Sequence, residues 1–458
     1  MDDIEGLPFW QLRFDKDGNS DAGRERFISD ELRASSISDL LVFCHGWNND
    51  FPIAKDLYQK FFSLVPPLLV GRIKPQRKVG LLGIFWPSMR WPDEPIPDFA
   101  AVSPVPDLGA GEGGSASSFE LPLFPAPPPP GTETKRVVLE AFPGSNPADV
   151  DELIHLMMTR PDNAASLRRS HAIIASLAAS STPDLLPGDG EGAGQVPAMA
   201  EPGRDPAEVY TAFQQALEDS GIETSEAAGA AGLDRTITGL WHGGQEVLRQ
   251  VTYWQMKKRA GIIGANGLGP FIRRLNAAFP DLGVNLIGHS FGARAVSFSL
   301  RALPVGGSTG VRSVTLLQGA FSHFAFAEAL PFDPGRSGLL KDMQSKVDGP
   351  IIACHSRYDS AVGTFYPLAS LAAGQDAADF TNPLFRWQAI GHDGHQPSAQ
   401  LLSLRQGGQA YAIEGVTLGN IDASSIVRHG SPPSGAHSDI FHEELAWIPL
   451  CAGGLVTA

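Results

Sequence analysis

The chain has 458 residues, 43% of them apolar and 19% charged, with a formal net charge of −15. That is enough material for a sizeable core. The acidic balance disfavours a sheath for nucleic acid, which needs clustered Lys and Arg, and an anionic membrane surface. Three cysteines, Cys44, Cys354 and Cys451, cannot build a disulfide framework, and the first two lie in apolar runs that read as core. The opening MDDIEGLPFW has no basic region ahead of an apolar stretch, and no run of about 18 apolar residues occurs. A cytoplasmic protein without an integral membrane segment is expected.

In chain order, the first continuous apolar run is Asp39 to Cys44, followed at once by HGWNND. Such a run suits a strand buried on both faces of a parallel sheet. Ala54 to Leu69 reads as the helix after it. Val79 to Phe85 is the second run, ending in FWPS. Val284 to Gly288, Val311 to Leu317 and Pro350 to Cys354 are the third, fourth and fifth, with a helix expected over Gly292 to Leu303. Asn420 to Val427 reads as a last strand and HEELAWIPL as a last helix. Strands alternating with helices imply an α/β fold with a mostly parallel central sheet flanked by helices.

About 190 residues separate the second and third runs, far more than a crossover needs. Pro95 to Gly131 and Ser181 to Pro206 are rich in Pro, Gly and Ser. They lack the apolar content to offset ordering entropy, so mobility and early proteolysis are expected there. Val138 to Leu177, Ala207 to Gly221 and Thr236 to Leu275 are helix-compatible. In these segments Leu153, Leu156, Met157, Tyr210, Phe213 and Leu217 fall at helical spacing, as core or as pocket lining. The organisation is therefore an N-terminal core part (1–94), a helical and Pro/Gly-rich insertion (95–235) and a C-terminal core part (236–458). A lid over an active site is the functional reading of the insertion; decoration or partner binding is the other. Gly109, Gly111 and Gly114 satisfy G-x-G-x-x-G without a strand before or a helix after, so that match is linker, and no P-loop motif occurs.

The third run leads directly into Gly288-His289-Ser290-Phe291-Gly292. G-x-S-x-G between a strand and a helix makes a sharp turn that presents the serine hydroxyl above the sheet, at a helix N-terminus that favours developing negative charge. Ser290 is the candidate nucleophile. Such a serine needs a base and a group that orients the base. Asp359, in the loop after the fifth run, is the candidate acid. His437, between the last strand and last helix, is the candidate base, ahead of His392, His395, His429 and His442. Asp439 is a cap for the last helix or a buttress for its loop. His392-x-x-His395 offers two metal ligands without a third, so no metal is expected. The oxyanion donors should be the backbone amides of Phe291 and Trp47. His45, His289 and Tyr366 are the candidate substrate contacts.

HGW after a buried strand, FWPS after the next, GHSFG, a later Asp after a strand, and AHSD near the end resemble the α/β-hydrolase superfamily. The HGWN, FWPS and GHSFG set is similar to a bacterial branch of esterase- and lipase-like serine hydrolases. The resemblance covers roughly residues 36–95 and 240–458 and leaves out the insertion. It implies a cofactor-free carboxylic ester hydrolase acting through an acyl-enzyme on a small-molecule or lipid-like ester. An amidase or peptidase with the same triad, or a catalytically inactive binding protein on the same fold, are the alternatives.

Overall fold

In a computed structural model of the chain, the described residues are 2–89, 91, 131–180, 198–219, 237–365, 388–430 and 435–457. They form a nine-stranded sheet with helices on both faces. The strands are β1 (Asp2–Ile4), β2 (Leu7–Arg13), β3 (Asp39–Cys44), β4 (Val79–Phe85), β5 (Gly283–His289), β6 (Val311–Leu317), β7 (Ile351–His355), β8 (Gln400–Leu402) and β9 (Leu418–Asp422). Their spatial order is β1-β2-β4-β3-β5-β6-β7-β9-β8, and every pairing is parallel except β1 with β2.

The five apolar runs and the last strand are all present, but three strands had not been expected. β1 and β2 form a hairpin whose two turn residues, Glu5 and Gly6, both have positive φ (49° and 88°). Such a pair is the mark of a tight hairpin turn, and it was open to reading in the sequence. β8 is three residues long and mostly exposed, too short to leave a periodic signal. The last strand stops at Asp422 rather than at Val427 because the Asp422 carboxylate caps a turn, accepting from the Ser424 N–H at 2.9 Å.

Alternation along the central strands explains their largely apolar character. Leu40, Val42 and Cys44 of β3 enter one core cluster, while Leu41 and Phe43 enter the other. Both faces are covered, so both sets must be apolar. The helix expected over 54–69 is two, α2 (Phe51–Phe62) and α3 (Val65–Leu69), and these cover the second face with the C-terminal helix Glu443–Ala452. The first face carries α1 (Ala22–Ser35) and the helices of the long interval. The stretch 138–177 is three helices, α4 (Thr132–Ala141), α5 (Pro147–Thr159) and α6 (Ala164–Ala179). Asn146 and Asn163 cap the second and third, accepting from Ala148 N–H and Ser166 N–H. α7 (Pro206–Asp219) follows. Then come α8 (Ile237–Ile262), a single π turn (Ile263–Leu268) and α9 (Gly269–Ala278). Of the stretches 95–131 and 181–206, where mobility is expected, residues 95–130 and 181–197 lie outside the described residues. The end of the second stretch is packed: Met199 and Ala200 are buried, and the Met199 carbonyl accepts from His171 Nε2 at 3.0 Å.

Leu153, Leu156, Met157, Tyr210 and Phe213 are buried in the same cluster as the first face of the sheet. Arg259 of α8 makes part of that union. Its guanidinium is almost fully buried and donates to the carbonyls of Pro87 (2.7 Å), Glu140 (3.1 Å) and Ala141 (3.3 Å). The first lies after β4, and the other two are end carbonyls of α4, which have no intrahelical donor. Burial pushes the guanidinium down to about 10. Arg259→Met should therefore orphan three carbonyls and lower unfolding free energy by roughly 1–3 kcal/mol. Urea unfolding checks this, and an unchanged midpoint would refute the bracing role. Among the described residues no helix is long and apolar enough to cross a membrane.

Candidate active site

The chain passes from β3 to β4 on one side of β3, then returns to place β5 on its other side. The C-terminal ends of β3 and β5 therefore border a topological switch point, where open α/β sheets form ligand crevices. Cys44 and Gly288 lie opposite each other there, so the HGW turn and the serine turn emerge side by side.

Ser290 follows β5 directly and has φ 56° and ψ −122°, a conformation few non-glycine residues adopt. α10 (Phe291–Ser299) starts at the next residue, ending where a short 3₁₀ turn, Leu300–Ala302, takes over the rest of the expected helix. The turn is held from both sides: Ser290 N–H donates to Leu317 O, and Ser290 O accepts from Ala293 and Ala320 N–H, each at 3.1 Å. Gly292 is required by proximity, since a Cβ there would sit 1.9 Å from Cys44 O. Gly46 likewise abuts Ser290, its Cβ position 2.6 Å from Ser290 Cβ.

His437 Nε2 lies 2.8 Å from Ser290 Oγ, and His437 Nδ1 lies 2.8 Å from Asp359 Oδ2. A carboxylate only accepts, so Nδ1 carries the proton and Nε2 accepts from the serine hydroxyl. Asp359 is fully buried, and its other oxygen accepts from Val362 N–H at 3.2 Å. Residues 147 and 78 positions apart in sequence thus form one relay. The acid and histidine loops are joined by backbone: Ala436 N–H donates to Tyr358 O at 2.9 Å, and Asp359 bridges Gly435. Asp439 proves to be a buttress. It accepts from the N–H groups of Arg428 and His429 at 2.9 Å and from His442 Nε2 at 2.8 Å, and these bonds hold its carboxyl down to about 2.

Two of the expected substrate contacts are engaged within the protein. His289 is buried, and its Nε2–H donates to His437 O at 2.8 Å, so it fixes the loop that carries His437. Its pKa is driven down to about 3 by burial and then by the neighbouring His437, so it adds no charge beside the relay. His45 is buried as well: Nδ1–H donates to Gly46 O at 2.8 Å, Nε2 accepts from Trp86 N–H at 3.3 Å, and the ring stacks on Trp86 at 5.5 Å. Both ring nitrogens are spent inside the protein. Tyr366 lies outside the described residues. Of the competing histidines, His392 sits beside Gly363, His395 is buried against Phe326, and His429 and His442 attend Asp439. Among the described residues no group of three or more His, Cys, Asp or Glu could hold a metal ion. Cys44 and Cys354 are buried, which pushes both thiols up, and burial raises Cys451 to about 12.

Phe291 is the first residue of α10, so its N–H has no intrahelical acceptor. Trp47 is half-buried in the turn after β3. Its ring meets Tyr253 of α8 edge-on at 5.3 Å, and Tyr253 meets Phe291 at 4.6 Å, which brings α8 against both turns. The roles of Tyr58, Asn49 and Ser88 were not foreseen. Tyr58 hydroxyl donates to Ile84 O and accepts from His45 N–H. Ser88 Oγ donates to Asn49 O at 2.6 Å, and Asn49 Nδ2 donates to Trp47 O at 2.7 Å. FWPS therefore serves to clamp HGWNN, a pairing with no signature in either segment alone.

Burial of neutral histidines makes stability depend on pH. His45, His289 and His395 are lowered to about 4, 3 and 3 by desolvation. Their unfolded counterparts take up protons below about 6.5. Stability from keeping them neutral is complete above that pH and is lost as pH falls toward 3–4. The slope is about 1.4 kcal/mol per pH unit for each proton. The urea midpoint should fall between pH 7 and pH 5; a flat profile would refute the assignment. Comparison with family models, curated proteins and solved structures finds no match for this chain.

Proposed function

We propose that this protein is a serine hydrolase of the α/β-hydrolase fold that cleaves a carboxylic ester through an acyl-enzyme. The observation that carries the reading is the continuous Ser290–His437–Asp359 relay on a positive-φ turn between a strand and a helix. The strand order and the switch-point position support it.

In this mechanism His437 Nε2 takes the Ser290 proton as Oγ attacks the ester carbonyl. The negative charge forming on the carbonyl oxygen is met by the Phe291 and Trp47 amides. Collapse of the tetrahedral intermediate expels the alcohol, which receives its proton from His437. Water, activated by the same imidazole, then releases the acid and restores Ser290. Asp359 keeps the imidazole in the tautomer that leaves Nε2 free to accept. Val362 N–H donates to the other oxygen of Asp359, which helps to hold the carboxylate against the imidazole.

A fluorophosphonate probe should label the protein at Ser290, located by peptide mapping, and a panel of p-nitrophenyl esters of graded chain length should be turned over. Absence of both would overturn the reading. Faster cleavage of anilides than of esters would move it to an amidase, and labelling without turnover of either class would point to a binding protein.

A further inference from the structure

The Gly46–Trp47 peptide is oriented by its carbonyl end. Gly46 O accepts from His45 Nδ1 at 2.8 Å and from Asn49 Nδ2 at 3.3 Å. His45 is itself immobilised. Trp86 N–H donates to its Nε2, Trp86 Nε1–H donates to its carbonyl at 2.9 Å, and Tyr58 holds its N–H. The Trp86 N–H bond selects the tautomer, because an Nε2 that accepts leaves the proton on Nδ1. Asn49 is fixed by Ser88, whose hydroxyl bonds both its N–H and its carbonyl. A trans peptide points its carbonyl and N–H in opposite directions. Anchoring Gly46 O inward on His45 and Asn49 turns the Trp47 N–H the other way, while a Cβ on Gly46 would stand 3.1 Å from Ser290 Oγ, which places this peptide beside the serine.

We infer that His45 is a positioning residue for the reaction, which aims and polarises the Trp47 amide as an oxyanion donor by donating Nδ1–H to the Gly46 carbonyl of the same peptide. This rests on the hydrolase reading above. A carbonyl that accepts two hydrogen bonds draws charge from its own N–H and makes it a stronger donor. The effect is needed only when negative charge appears on the substrate oxygen. Loss of His45 should therefore lower kcat and leave KM nearly unchanged.

The test uses the full chain with p-nitrophenyl acetate as substrate and a trifluoromethyl ketone as a mimic of the tetrahedral intermediate. His45→Leu should lower kcat about 10²–10³-fold, the scale of one lost oxyanion donor, with KM within about 3-fold. Ketone affinity should fall in parallel with kcat. His45→Asn places an amide N–H where Nδ1 stands and should recover to within about 10-fold of the parent. His45→Gln, with its amide one atom further out, should stay near the Leu variant. If His45→Leu does not fold, the Asn and Gln pair carries the test, with thermal melts showing both folded. Equal kcat for Asn and Gln, or a fall in kcat matched by a rise in KM with ketone affinity unchanged, would overturn the inference. A parent protein that neither takes the fluorophosphonate nor turns over any ester removes the hydrolase reading and this inference together. A parent that does both, with His45→Leu equally fast, removes this inference alone.

Discussion

Ser290→Ala should abolish acyl-enzyme formation and reduce ester turnover by about 10⁴–10⁶-fold, while the protein stays folded. Among the described residues the hydroxyl makes one hydrogen bond, to His437 Nε2, and the turn around it is held by backbone bonds that alanine keeps. His437→Ala should fall to the same level, and the double variant should be no worse, because in the proposed mechanism the two side chains act in one proton transfer. Asp359→Asn tests the orienting role separately. Asparagine can turn its Nδ2–H toward His437 Nδ1, which would have to give up its proton to accept it. That leaves Nε2 protonated and unable to take the serine proton, so a loss of about 10⁴-fold is expected. The measurements are kcat/KM on a p-nitrophenyl ester, fluorophosphonate labelling and a thermal melt. Near-native turnover by Ser290→Ala would remove the assignment, and a severe loss in His392→Ala with a mild one in His437→Ala would move the base.

Gly292→Ala should lower activity less than Ser290→Ala does but, unlike it, should also cost stability. The new Cβ would stand 1.9 Å from Cys44 O, 2.6 Å from Cys44 C and 2.6 Å from His45 O. All three are backbone atoms in the middle of the sheet edge, so no side-chain rotation relieves the clash. Either α10 moves away from β3, taking Ser290 with it, or the turn after β3 moves and takes Gly46 and Trp47. Overpacking of this kind costs about 1–3 kcal/mol, and a displacement of about 1 Å at the reacting atoms costs on the order of 10²-fold in rate. Gly261→Ala is the control: its nearest neighbours would be Arg294 and Phe298 side-chain atoms at 3.5 Å, ordinary contact. Thermal melts and ester turnover of the two variants should diverge; equal behaviour would show that the elbow tolerates a side chain.

Several features of this protein are determined by sequence on its own because their physics is local. The largely apolar runs of β3, β4, β5, β6 and β7 stand out, since a strand covered on both faces buries both of its sets of side chains. Ser290 is legible because its turn needs glycines on both sides, a helix after it and a strand before it, all within a dozen residues. Asp359 and His437 are legible only through the order of elements, as residues in the loops that follow late strands.

Long-range pairing decided the rest. Which histidine meets the serine depends on the Ala436–Tyr358 backbone bond between two loops far apart in the chain. His45 and His289 look from their neighbours in sequence like groups at a reactive edge. Their rings instead turn inward because Trp86, Gly46 O and His437 O supply partners that only the folded sheet brings near. The interval between β4 and α8 reads as a separate helical unit because its helices have amphipathic faces of their own. Its fusion to the first face of the sheet is made by side chains such as Arg259, whose acceptors lie 119 and 172 residues away and carry no sequence signal, being backbone carbonyls that any residue would present.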